Sequence, residues 1–303
     1  MTVDHDAVVV GGGPAGCGAA VFLARYGLDT LVFDRGAAAL PRAAFVENYP
    51  GFPGGIDPET LRALFHDHLD AAGATLVAET VEAVEHEGGT FRVESADGTV
   101  TADYVVAAAW YDGSYLRPVT GDEAFEEHEH HGESHERFAP SYPDADGRTE
   151  VDGLYVAAHN DDRNAQAVIS AGQGAHVARC LLADHRRDEG FTGGVAPHYD
   201  WLRPESELTG EWAERDRWRK WFANEAGDHD LSDERFTELR ERYIDRAFET
   251  VRTDEAVERL RERGHRRLAE HLDHEAMLDA IDDATIRAYV DALDGGVEAL
   301  DGD

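Results

Sequence analysis

The chain has almost no cysteine, almost no lysine and no long apolar run, and each shortage excludes something. Two cysteines, Cys17 and Cys180, cannot build a disulfide framework, and no CxxC pair is present. No stretch approaches the roughly 18 apolar residues that a membrane-spanning helix needs, and the first residues carry no basic segment of a secretory leader. The expectation is a protein without a membrane partner, in the cytoplasm. Lys220 is the single lysine, and 28 basic residues stand against 63 acidic ones, a formal charge of -35 over 303 residues. Such a surface repels nucleic acid and anionic lipid alike. The acids are dispersed along the chain, which suits a surface screened by molar salt, as in an extreme halophile. An acidic docking face for a basic partner would instead be clustered.

What is present begins at Val8-Val9-Val10, a β-branched run suited to a buried parallel strand. It leads into Gly11, Gly13 and Gly16 at the G-x-G-x-x-G spacing, then into a helical pattern faced by Ala19, Ala20, Leu23 and Ala24. Thr30-Leu31-Val32-Phe33 reads as a second strand ending at Asp34. The parts have mechanical roles. Gly11 makes the tight turn, Gly13 admits a pyrophosphate close to the backbone, and Gly16 lets helix meet strand. The helix start offers free amides to phosphate, and Asp34 offers a carboxylate to a ribose diol. The unit is a dinucleotide-binding βαβ motif, which by itself does not separate FAD from NAD. Cys17, just inside the helix, reads as a small core residue.

Further blocks narrow the choice. Phe45 to Leu61 reads FVENYPGFPGGIDPETL and continues into a helix through Ala72. ETVEAVEHEGGTFRVESADGTVTADYVVAAA reads as strand, hairpin and strand with a turn at Asp97-Gly98, and EVDGLYVAAHNDDRNAQAVISAGQGAHVARCLLADH spans Glu150 to His185. With the glycine motif, these blocks resemble, in order, the thioredoxin reductase family of FAD-dependent pyridine nucleotide oxidoreductases, over roughly Val3 to His185. The resemblance implies a Rossmann-like, three-layer α/β FAD-binding domain. It also implies FAD held by Gly11, Gly13, Pro14, Ala15, Gly16, Asp34, Asn48, Val81, His159, Gln166 and Ala167.

The chain departs from the family's pattern in several places. Trp110 stands where a glycine is usual, and His159 where an aspartate bonds the ribityl chain, with Asn160, Asp161 or Asp162 as substitutes if the loop shifts. The family inserts an NADPH domain bearing a CxxC dithiol. Here residues 110–150 are too few for a second βαβ domain and show neither a glycine fingerprint nor a strand pattern. They read as a polar connector in its place. The resemblance thus implies a FAD-dependent oxidoreductase without a disulfide-exchange route, whose electrons come from NAD(P)H or a redox protein outside the chain. The reading from a different class is a non-catalytic nucleotide-binding sensor or scaffold, which Trp110 and His159 favour. Homo-oligomerisation is left open, and no catalytic acid or base is singled out.

His128, His130, His131 and His135 lie among Glu126, Glu127, Glu129, Glu133 and Glu136, donors that can hold a divalent ion. Their spacing fits no structural zinc pattern, and the segment reads as a solvated loop without a metal. Residues 188–303 are expected as an acidic helical extension to a FAD-binding domain over 1–187. The expected helices run from Glu205 to Glu225, Asp233 to Thr250, Asp254 to Leu272 and Glu275 to Leu293, with an N-cap at Ser232 and a stop at Gly295-Gly296. Trp212, Trp218, Trp221 and Phe222, with Trp201 nearby, read as core aromatics more readily than as a partner surface.

Overall fold

The structure, a computed structural model, describes residues 3–36, 39–109, 113–130, 133–157 and 166–298. Strand β1 (His5–Val10) is followed by helix α1 (Pro14–Tyr26), strand β2 (Thr30–Phe33), helix α2 (Pro58–Ala72) and strand β3 (Thr75–Val77). A meander of β4 (Val81–Glu87), β5 (Thr90–Ser95) and β6 (Gly98–Ala107) comes next. A short helix α3 (Arg117–Thr120), strands β7 (Phe125–His130), β8 (Glu133–Phe138) and β9 (Leu154–Val156), and the long helix α4 (Ala167–Asp188) complete this part.

Among the described residues seven strands form one sheet in the order β3-β2-β1-β6-β5-β4, with β9 also on β6. Strands β1, β2, β3, β6 and β9 pair in parallel, while β4, β5 and β6 pair antiparallel. The ten residues of β6 serve two neighbours along one edge: Gly98–Ala102 pair with β5, and Val105–Ala107 pair with β9. The fold class is mixed α/β with Rossmann-like parallel strands, as the sequence pattern predicts. Val8, Val9 and Val32 are fully buried because a parallel sheet is covered on both faces.

Helix α1 lies against α4 nearly backbone to backbone. A Cβ on Gly174 would stand 1.8 Å from the Ala15 carbonyl oxygen, and one on Gly18 would stand 2.4 Å from that of Ala171. Small residues at this crossing therefore set the spacing between sheet and outer helix. Helix α2 starts at Asp57, whose side chain accepts from the Thr60 amide at 2.8 Å.

The segment 110–150 departs from expectation. Instead of lacking strands, its described part forms the β7–β8 hairpin, with His128 opposite His135 and Phe125 opposite Phe138. Both hairpin faces are polar beyond Phe125, so no period-2 apolar pattern marks it in the sequence. The backbone ladder and the Arg137–Glu126 ion pair hold it, and the Phe125 and Phe138 rings meet edge to face at 5.6 Å. Trp110 and His131 lie outside the described residues.

Beyond α4 come the two-residue strand β10 (Arg203–Pro204), helices α5 (Arg215–Ala226) and α6 (Asp233–Glu249), strand β11 (Val251–Arg252), and helices α7 (Asp254–Ala269), α8 (His274–Ala280) and α9 (Asp283–Glu298). The chain divides into two compact units, Met1–Thr253 and Asp254–Asp303. In the first, Phe191, Phe222 and Leu239 form one apolar cluster and Trp218, Ile244 and Ala247 another, with Trp212 and Trp221 packed on them. Those aromatics are core, whereas Trp201 is exposed. The Ser232 cap forms as expected, accepting from the Arg235 amide.

Two expected helices differ in extent. The one expected from Glu205 is two short 3-10 turns before α5 begins at Arg215. The one expected over Glu275–Leu293 is broken between Ala280 and Asp283, where Asp282 caps a new helix by accepting from Thr285. That last helix runs on through Gly295-Gly296 to Glu298, at a cost of about 1 kcal/mol for each glycine relative to alanine. No helix among the described residues is long and apolar enough to cross a membrane.

Candidate functional site

The glycine loop sits where β1 gives way to α1. Gly11 has φ +120, and its amide donates to the Phe33 carbonyl at 2.8 Å. A side chain there would strike the Ala108 carbonyl at 2.7 Å, so β6 closes on the loop from the other side. A Cβ on Gly16 would lie 1.7 Å from the Gly11 oxygen, which is why the helix can fold down onto the turn only with glycine at that place. Gly13 is the N-cap in extended conformation, Pro14 is the first helical residue, and no described side chain caps the helix. The amides of Ala15 and Gly16 in the first turn accordingly have no intrahelical acceptor, and the positive end of the helix dipole lies with them.

Asp34 directly follows β2 beside this loop and is 5% exposed. Its Oδ1 accepts from the Gly36 amide at 2.9 Å, and its Oδ2 accepts from Arg62 Nη2 at 2.6 Å. His66 Nε2 stands 3.5 Å from the same Oδ2 and 3.0 Å from the Gly12 carbonyl oxygen. Arg62 and His66, four residues apart on α2, thus tie that helix to the acid and to the loop together. Sequence reasoning missed both. The signal was available as a basic i, i+4 pair on a helix that follows the glycine motif. Cys17 is core as expected: it is 1% exposed, donates to the Gly12 carbonyl, and burial beside Asp34 pushes its thiol up to about 12.

Asn48 and Gln166, far apart in sequence, meet through a 2.6 Å hydrogen bond from Asn48 Nδ2 to Gln166 Oε1. Gln166 is the N-cap of α4, and Ala167 begins that helix against the cluster of Leu40, Val46, Ile56 and Leu61. Val81 opens β4 with its side chain buried in the apolar cluster that includes Val10 and Phe33, so its side chain is committed to packing. His159 and the alternatives Asn160, Asp161 and Asp162 lie outside the described residues. The structure therefore gathers Gly11, Gly13, Pro14, Ala15, Gly16 and Asp34 at one place, and joins Asn48 to Gln166 and Ala167.

The residues present fit a dinucleotide. The first-turn amides suit a diphosphate. Asp34 keeps acceptor lone pairs beyond the two contacts it makes, since a carboxylate offers about four. Arg62 Nε is buried with no hydrogen-bond partner among the described residues, an orphaned donor next to the place a ribose would take.

The family model described as "Pyridine nucleotide-disulphide oxidoreductase" matches residues 5–137. The thioredoxin reductase of Mycolicibacterium smegmatis is 38% identical over 122 residues, which are 40% of this chain and 39% of that protein. The thioredoxin reductase of Aquifex aeolicus is 35% identical over 96 residues, 31% of this chain and 30% of the relative. The chain thus spans about two fifths or less of these curated relatives. Among solved structures, a thioredoxin reductase from Gloeobacter violaceus aligns with 66% of this chain and 98% of its own, at 19% identity and a TM-score of 0.49. Residues 5–137 of this chain are thus similar to the pyridine nucleotide-disulphide oxidoreductase family, and to the matching part of thioredoxin reductases within it.

Proposed function

We propose that the chain is a FAD-dependent oxidoreductase whose electrons come from outside it, from NAD(P)H or a reduced carrier protein. The observation that carries this reading is the uncapped start of α1 set beside a buried acid, Asp34, with the unpartnered Arg62 Nε next to it. The amides of Ala15 and Gly16 would hold the diphosphate, Asp34 and Arg62 the adenosine end, and Asn48 with Gln166 and Ala167 the flavin end. When bound, FAD supplies a redox centre that passes electrons singly or in pairs. The protein's own contribution is positioning. Burial of Asp34 makes its carboxylate a strong acceptor in a low dielectric, and the His66 contact to the Gly12 carbonyl holds the loop in place for the phosphates.

In this reading residues 1–187 are the FAD-binding domain and 188–303 an acidic helical extension. The external donor is supported by the sequence between β6 and β9, which has no second glycine fingerprint and whose described part holds only the short α3 and a hairpin as regular elements beside 3-10 turns. It is also supported by a cysteine inventory of Cys17 and Cys180 alone, with no CxxC. A dithiol relay needs two neighbouring thiols.

A second reading, a nucleotide-binding sensor without catalysis, is favoured by Trp110 and His159, which stand where the family has glycine and aspartate. Reconstitution separates the two. The oxidoreductase reading expects the purified chain to take up FAD, turn yellow, and bleach with NADH, NADPH or a reduced carrier. Asp34→Asn should weaken FAD binding by about tenfold or more, since a hydrogen bond to a charged group is worth about 1.5–3 kcal/mol. A chain that stays colourless with excess FAD removes the proposal, and one that binds FAD but bleaches with no donor leaves the sensor.

A further inference from the structure

A second cluster of chemistry-bearing side chains lies apart from the glycine loop, on α4 and on the turn that precedes β9. His176 and Cys180 occupy positions i and i+4 of α4 and so share one helix face. Asp146 is brought to them by a tight turn in which Asp144 Oδ1 accepts from the amides of Asp146 and Arg148, at 2.9 and 2.8 Å. The Val156 amide donates to the Gly147 carbonyl at 2.7 Å, which fixes that turn to β9.

The three donors converge. His176 Nε2 is 2.9 Å from Asp146 Oδ1 and 3.7 Å from Cys180 Sγ, and all three ligand atoms lie within 4.8 Å of one another. This is not a nucleophile triad. There the acid holds one ring nitrogen and the nucleophile faces the other, whereas here acid and thiol both approach Nε2. Three atoms aimed at one point, from three residue types, form the donor set of a metal.

We propose that Asp146, His176 and Cys180 bind a divalent transition-metal ion, with zinc as the best fit, and leave one coordination position to solvent. Zinc bonds of about 2.3 Å to sulfur and about 2.0 Å to nitrogen set tetrahedral donors about 3.5 Å apart, close to the spacing of Cys180 and His176. A thiolate, a carboxylate and a neutral imidazole carry two negative charges, which a divalent cation balances. The thiolate and imidazole select zinc, cobalt or copper over magnesium and calcium. Binding releases the Cys180 thiol proton and frees Nε2 of any proton it shares with Asp146.

A surrounding shell already orients the carboxylate. Arg148 Nη1 donates to Asp146 Oδ2 at 2.7 Å, which turns Oδ1 toward the histidine. Arg148 is itself held by Asp184 through Nε at 2.6 Å, and the Tyr155 hydroxyl donates to the same carboxylate at 3.0 Å. Such outer partners are what fixes a ligand's direction at metal sites. His176 is half exposed, which provides entry for the ion and room for a water. The metal would staple the turn before β9 to the helix that packs on α1.

The test is a cobalt titration of the purified chain after treatment with a chelator. The proposal expects one Co²⁺ per chain with a thiolate-to-cobalt charge-transfer band, displaced by Zn²⁺ but not by excess Mg²⁺. The band reports Cys180, because the other cysteine, Cys17, is 1% exposed. Cys180→Ser should abolish it, and His176→Ala and Asp146→Ala should each weaken binding by about tenfold or more. A His128→Ala/His135→Ala double variant, which removes the histidines facing each other across the hairpin, should bind as the parent does. Zn²⁺ should also shield Cys180 of the unmodified chain from alkylation, a readout that needs no variant. Absence of the charge-transfer band, failure of Zn²⁺ to protect the thiol, or loss of the band in the hairpin variant would each overturn the proposal.

Discussion

His198 shows how burial sets the charge of a single residue. Its ring packs edge-on against Tyr26 at 4.9 Å, and burial, followed by the nearby Arg246 and Arg186, draws its pKa from 6.5 down to about 4, against a smaller opposing pull from Asp200. The folded state therefore holds the ring neutral where the unfolded chain would protonate it. The sign follows from linkage: between pH 6.5 and 4 the unfolded chain binds more protons, so this contribution is complete above pH 6.5 and is lost as the pH falls toward 4. Melting temperature followed from pH 7 to pH 4 should fall less in His198→Gln than in the parent. Superimposable curves would remove the assignment. Legibility differs at this scale. Asp34 could be picked out because it ends a strand at a recognisable distance from a glycine motif. His198 could not, since nothing local in the sequence says what surrounds it, and Arg62 with His66 left only a basic i, i+4 pair that does not name its partner.

At the scale of elements, the α1–α4 crossing is the contact most sensitive to a single atom. The Gly174 position leaves 1.8 Å between an added Cβ and the Ala15 carbonyl oxygen, backbone that has nowhere to move without lifting α1 off the sheet. Gly174→Ala should cost about 3 kcal/mol, at the upper end of overpacking effects, and should lower the denaturant midpoint measured by circular dichroism. Gly172→Ala, on the same helix with open space at its Cβ position, is the control and should leave the midpoint unchanged or raised. A Gly174→Ala variant with the parent's midpoint would contradict the packing described. Regular elements with one buried face, such as α1, α2 and α6, were legible from periodicity and caps. The β7–β8 hairpin was not, because its strands bury little beyond Phe125 and Phe138 and leave no alternation to read.

For the molecule as a whole the governing quantity is the charge of -35. Arginines offset part of it locally. Glu241 accepts from Arg215, Arg219 and Arg240, with Arg219 foremost in pulling its pKa down to about 2. The excess carboxylates repel one another, and that repulsion falls as salt shortens the screening length, to about 3 Å at 1 M. The melting temperature of the chain should therefore climb steeply between 0.1 and 2 M KCl on the order expected from screening alone. A flat or falling series would rule out the reading of the acidic surface as an adaptation to salt.

What the sequence by itself determined is the βαβ unit with its glycine loop, the acid at the end of β2 and the capped, amphipathic helices. Each of these rests on interactions between residues a few positions apart, so local order is enough to specify it. Only the tertiary structure decided that Arg62 and His66 close on Asp34, that Asn48 meets Gln166 across 118 positions, and that Asp146 reaches His176 and Cys180. Those meetings depend on how sheet, helix and turn are placed in space, and directional contacts of 2.6 to 2.9 Å between distant residues leave no periodic trace along the chain.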